Sequence, residues 1–165
     1  VPAEWRDFYV VLATAAGTLI GAMFIVASIG GRHITRARTA GATFVTPTVA
    51  HLAVVLVACA FLVVPSLTPG VLGWIAGLGG LVGLAVAAQI CGRVLRSKID
   101  RVDRLWYGAV PLLGYAAIVA GGILILAQRP GGRETLAAAL GLLVVAGIRN
   151  AWDLILYLVG QARAP

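Results

Sequence analysis

Apolar residues follow one another with little polar interruption over five long stretches of the chain, at 8–30, 44–64, 70–92, 106–127 and 136–160. Each is close to the ~20 residues that carry an α-helix across a hydrocarbon layer about 30 Å thick. A membrane barrel needs strands that alternate apolar and polar residues. Continuous apolarity instead suits helices, which satisfy their own backbone in lipid. The pattern predicts an all-α integral membrane protein, a single membrane domain over residues 1–165 built as a five-transmembrane-helix bundle. Pro65 and Pro69 mark a tight turn between the second and third spans, because proline cannot continue a helical hydrogen-bond ladder. Gly131 and Gly132, after Pro130, do the same between the fourth and fifth.

Composition sharpens this picture. Hydrophobic residues make up 61% of the chain and charged residues 12%, against about 25% charged in a soluble domain. A water-soluble fold and a disordered tail are therefore excluded. The connectors are too short to hold a soluble catalytic domain, so the chain reads as a non-enzyme whose function resides in the bundle, its interfaces or its loops.

The net charge of +7 would suit nucleic acid elsewhere. Here the basic residues sit between apolar runs, where they meet anionic lipid headgroups and set topology. Arg32, Arg36, Arg38, Arg93, Arg96, Lys98, Arg101, Arg104 and Arg163 fall on one side, and Arg6, Arg129 and Arg133 on the other. The positive-inside rule then puts the N-terminus outside and the C-terminus in the cytoplasm. Trp5, Phe8, Tyr9 and Trp74 belong near the outer headgroups, and Trp106, Tyr107 and Tyr157 near the inner ones. The first apolar run lacks a basic leader and is long enough to stay as a span, so no cleavable signal peptide is expected.

Glycines four apart let helix backbones approach closely. Gly17 and Gly21 lie on the first span, with Thr14 and Thr18 beside them. Gly73 with Gly77, and Gly79 with Gly83, lie on the third. Packing inside one bundle is the expected use of any one of them, and together they also suit a homo-oligomer. Spans one and three are both glycine-rich, and each precedes a basic loop and a proline-containing helix (Pro47, Pro111), a pattern compatible with a parallel repeat.

The fifth span carries the strongest chemical signal. Ala146, Arg149, Asn150, Asp153, Tyr157 and Gly160 follow helical spacing along one stripe. A charge at mid-membrane costs at least ~2.5–3.5 kcal/mol on insertion scales, so Arg149 and Asp153 should face the bundle interior or a watered cavity. Their spacing of four lets them pair. They read either as a self-neutralising structural pair or as part of an ion or proton path. With a rise of ~1.5 Å per residue, His51 and Tyr115 fall roughly 10–14 Å below the inner boundary, level with Asp153. If Thr46 caps the second span and Pro47 opens it, His51 is only about 6–8 Å deep. His51 titrates in the physiological range and would make such a path pH-dependent.

Other chemistry is not signalled. His33, expected in a loop, and His51, expected in a helix, make a poor haem or metal pair. Cys59 and Cys91 show no metal-ligand spacing and give no basis for a disulfide. No phosphate loop, zinc-protease motif or nucleophile elbow is present. No cofactor, metal or nucleic-acid partner is expected.

Phe8-Tyr9, the stretch from Thr14 through Ala15, Ala16, Gly17, Thr18, Leu19 and Ile20 to Gly21, and Met23 to Val26 resemble a group of uncharacterised small polytopic bacterial inner-membrane proteins. Some of these are labelled modulators of a membrane-bound AAA protease. The resemblance covers mainly the first helix. It implies an accessory protein of a bacterial cytoplasmic membrane and transfers no catalytic residue. The expectation from the residues themselves is an oligomeric channel or transporter with a polar intramembrane path through Arg149, Asp153, Asn150, His51 and Tyr115. The alternative is a non-catalytic accessory subunit of a larger membrane complex.

The charge asymmetry makes the topology testable. On a background lacking Cys59 and Cys91, single cysteines at Thr35, Ser97 and Thr135 are probed with an impermeant thiol reagent. Only Thr135→Cys should label from outside, and outer labelling of Ser97→Cys would invert the assignment.

Overall fold

The structure, a computed structural model, describes residues 3–36, 46–96 and 100–162, with side chains over 5–28, 47–96 and 100–156. It is helical throughout, and no strand occurs among the described residues. The helices are α1 (Ala3–Arg36), α2 (Thr46–Leu62), α3 (Pro69–Arg96), α4 (Arg101–Leu126) and α5 (Gly132–Ala162). Four of them are long and apolar enough to cross a membrane; the apolar part of α2, Pro47–Leu62, is shorter. Phe24, Ile25, Val82, Leu113, Ile123 and Trp152 point outward at 57–67% exposure. So large an apolar surface is untenable in water and ordinary against lipid. The protein is a multi-pass, helical membrane protein.

The helices overrun the apolar stretches. α1 continues through Gly30 and Gly31 to Arg36, so Arg32, His33 and Arg36 are helical rather than in a loop. α3 reaches Arg96 and α4 begins at Arg101. Of the basic connectors expected at 31–43 and 93–105, residues 31–36, 93–96 and 101–105 are helical. Charged residues end the apolar run without ending the helix, since arginine is a good helix former. Arg38, Phe44, Lys98 and Arg163 lie outside the described residues, as do the side chains of His33, Tyr157 and Gly160.

Two antiparallel pairs, α1 with α2 and α3 with α4, are joined by α5, which packs on α1, α2 and α4. α2 and α3 are consecutive in the chain yet meet only lightly. Turns at 63–68 and 127–131 lie at one end of the bundle, the turn end; the helix ends at Thr46, Arg96 and Arg101 lie toward the other, the basic end. The turn end is built by recognisable caps. Thr68 precedes Pro69, and its Oγ1 accepts from the Val71 amide at 3.4 Å, the N-cap and first-turn proline arrangement. α4 stops where Gln128 adopts φ 53°. The Arg129 amide then reaches the Leu124 carbonyl at 2.8 Å and that of Gln128 the Ile125 carbonyl at 3.1 Å, a Schellman closure that glycine more often makes. Gly131, at φ 86°, completes the reversal expected around Pro130.

Glycine decides which helices touch. A Cβ on Gly122 of α4 would lie 2.6 Å from the Gly77 nitrogen and 2.9 Å from the Gly73 oxygen. Gly80 faces Val119 and Ile118, and Gly83 lies beneath the ring of Tyr115. Gly114 and Gly121 admit Leu143 and Leu136 of α5, and Gly147 admits Leu52 of α2. By contrast, a Cβ at Gly17, Gly21 or Gly79 would meet nothing within 4 Å. Among the described residues, no helix meets the Cβ positions of the Gly17/Gly21 motif. Thr14 and Thr18 return their hydroxyls to the Val10 and Thr14 carbonyls of their own helix, at 2.8 and 2.9 Å.

Gly122→Ala should lower thermal stability in detergent by about 1–3 kcal/mol, the usual cost of overpacking. Gly79→Ala, in open space, should be neutral or raise it by about 0.5–1 kcal/mol through helix propensity. Equal melting temperatures for the two variants would contradict the crossing described.

Candidate functional site

The polar residues expected to share one layer form two neighbouring groups. The first joins three helices. His51, in the second turn of α2 and 2% exposed, has its Nδ1 2.9 Å from the hydroxyl of Tyr115 on α4. The Tyr115 ring can occupy this place because Gly83 of α3 has no side chain. Thr48, one turn earlier on α2, is also buried. In α2 the helix begins at Thr46 with Pro47 in its first turn, so His51 stands roughly 7 Å along the axis from the helix start.

The second group lies nearer the basic end, on α5. Arg149 and Asp153 form an ion pair one turn apart, with side chains 34% and 24% exposed. They are on the flank of the helix. The inward face is instead Leu140, Leu143, Ala146, Asn150 and Leu154. Ala151, placed on the opposite side by simple helical spacing, is buried as well, against Met23 and Leu154. Asn150 is 2% exposed, and its backbone carbonyl accepts from the Tyr107 hydroxyl at 3.3 Å. Its side-chain Oδ1 and the Asp153 Oδ2 have no hydrogen-bond partner among the described residues.

Tyr107 is the residue whose role was not anticipated. It was expected among the inner headgroups but is buried at 7% exposure. The cause is local. Leu105–Ala109 forms a π-helical turn, and Pro111 follows Tyr107 by four residues. In an α-helix the proline ring would strike the Tyr107 carbonyl; the wider turn relieves this and rotates Tyr107 onto α5. A proline four residues after an aromatic at the start of a span was the available signal.

At the turn end, Tyr9 is fully buried and donates to the Arg133 carbonyl at 3.3 Å. It stacks with Trp5 at 6.0 Å and meets Phe8 edge-on at 5.5 Å. It is thus a tether between α1 and α5 at the turn end. Cys59 and Cys91 are free thiols. Among the described residues no three His, Cys, Asp or Glu side chains gather as a metal site would require. No family model, curated protein or solved structure matches the chain.

The two groups should differ energetically. Tyr115→Phe leaves His51 unpaired in the bundle. The coupling in a His51→Leu/Tyr115→Phe cycle should be about 0.6–1.7 kcal/mol, as for hydrogen bonds between other membrane helices. Arg149→Leu and Asp153→Leu, at a partly exposed pair, should couple by about 1 kcal/mol or less. A coupling of ~3–5 kcal/mol would instead mark a fully buried pair. Thermal denaturation in detergent reads both cycles.

Proposed function

We propose that the protein crosses a bacterial cytoplasmic (inner) membrane five times, with its N-terminus outside and its C-terminus inside, and acts as a non-catalytic subunit or modulator of a larger membrane complex. α2 is the crossing that needs argument. Met23 of α1, Val49 of α2 and Leu154 of α5 cluster toward the basic end, while the C-terminal end of α2 leads into the 63–68 turn. α2 must therefore carry the chain back between ends. Its 17 residues give roughly 25 Å, a modest mismatch that local thinning of the bilayer accommodates.

One observation carries the functional reading. The middle of the bundle is filled by Leu52, Val55, Leu140 and Leu143, all at 1% exposure or less. His51 bonds to Tyr115 and Arg149 to Asp153. These polar groups join helix to helix or neutralise each other, which suits a scaffold. A homo-oligomer or a hetero-complex would cover the open Gly17/Gly21 face of α1.

A second reading, an oligomeric channel or transporter, draws on the flank of α5. The unpartnered Asn150 Oδ1 and Asp153 Oδ2, beside half-exposed Arg149, could line a path between copies. Purified protein in liposomes, tested for chloride, potassium and proton flux, separates the two. The subunit reading expects no flux and stable copurification with a larger membrane complex. Flux that Arg149→Leu/Asp153→Leu abolishes would establish the channel in its place.

A further inference from the structure

The light contact between α2 and α3 leaves a groove of about 420 Å³. Val57 and Phe61 of α2 and Ile75 and Gly79 of α3 form its sides; Ile118 and Leu140 form its back. Its lining is apolar. Its inner limit is the His51–Tyr115 bond, because Val54 and Ile118 of the groove stand one helical turn from those two residues. Toward the turn end lies a second hollow of similar size, containing Gln128, Arg129, Arg133 and Glu134. Leu72 and Leu136 of the groove are one turn from Pro69 and Arg133 of that hollow, so the two follow one another along α3 and α5.

Size selects the occupant. At about 10–15 Å³ of groove space per water-sized group, a volume of 420 Å³ takes roughly 28–42 of them, the scale of lipid acyl chains. Charge selects the headgroup. Two arginines against one glutamate leave the hollow at +1, at the depth where a phosphate lies. We propose that the α2–α3 groove binds one anionic phospholipid, with an acyl chain along the groove and its phosphate at Arg129 and Arg133. The site is independent of whether the protein is a subunit or a pore.

Native mass spectrometry of the full chain in detergent, titrated with phosphatidylglycerol or with phosphatidylcholine of equal chain length, tests this. One phosphatidylglycerol should bind about fivefold or more tightly than phosphatidylcholine, as one net basic contact provides. Gly79→Leu projects into the groove from a position with nothing within 4 Å. It should weaken both lipids by about tenfold, the equivalent of two excluded methylenes. Val57→Trp, at the groove mouth, should act likewise if Gly79→Leu fails to fold. Arg129→Gln/Arg133→Gln should remove the preference between headgroups and leave phosphatidylcholine binding unchanged. Equal binding of the two lipids to the unaltered protein would overturn the proposal. So would lipid affinity unchanged in both groove variants, or a stoichiometric transmembrane peptide that Gly79→Leu displaces.

Discussion

The backbone contact of Gly122 with Gly73 and Gly77 is the constraint on which the arrangement of α3 and α4 depends. Lipid tails are as apolar as leucine, so membrane helices gain little from hiding apolar surface from one another. What remains is close packing and hydrogen bonding. The glycine crossing provides the first by bringing two backbones within reach of dispersion forces along several turns. It also sets the depth at which Tyr115 emerges from α4, over the bare backbone of Gly83, and so where a hydroxyl is available to His51. The hydrogen bond that attaches α2 to the α3–α4 pair follows from the packing of α4 against the glycines of α3.

α5 serves a different purpose. It meets α1, α2 and α4, and its meetings with α2 and α4 use a small residue on one side and a leucine on the other: Gly147 with Leu52, Gly114 with Leu143, Gly121 with Leu136. Knob and hole alternate between the partners, so the helices interlock at fixed register. Asn150 lies on this interlocked face, and its carbonyl receives the Tyr107 hydroxyl. Arg149 and Asp153 lie beside the face and keep partial exposure. A rotation of α5 that buried them would pull the leucines out of their glycine sockets. Packing therefore determines where the charges lie, and not the reverse.

The helical, membrane-embedded character was legible because unbroken apolarity leaves a backbone one way to satisfy itself in lipid. Helix ends were not, because arginines that stop an apolar run do not stop a helix. The glycine motifs were legible as capacity and not as assignment. Gly17/Gly21 and Gly73/Gly77 have the same spacing, yet one pair faces open space and the other meets α4. A small residue permits approach without saying which helix arrives. The partnership of His51 with Tyr115 was within reach of a depth count along each helix. That of Tyr107 with Asn150 was not, since depth counting assumes α-helical pitch and the π turn before Pro111 breaks it.

The groove between α2 and α3 and the tight crossing of α3 with α4 have a common origin. Glycine and alanine line one broad side of α3 at Gly73, Ala76, Gly77, Gly79, Gly80 and Gly83, an arc of about 160°, while Trp74, Leu78, Leu81 and Val82 point outward on the other. On the face toward α4 that smallness is matched by Gly121 and Gly122, and the backbones close. Toward α2 it is matched only near the basic end, where the Tyr115 ring fills the space over Gly83. One or two turns further out, Ala53, Ala58 and Gly79 bring nothing to fill the gap. A broad face of small residues can close against only those neighbours that complement it. The side left without a complement becomes a groove, and in a bilayer the slender molecules present to occupy it are lipids.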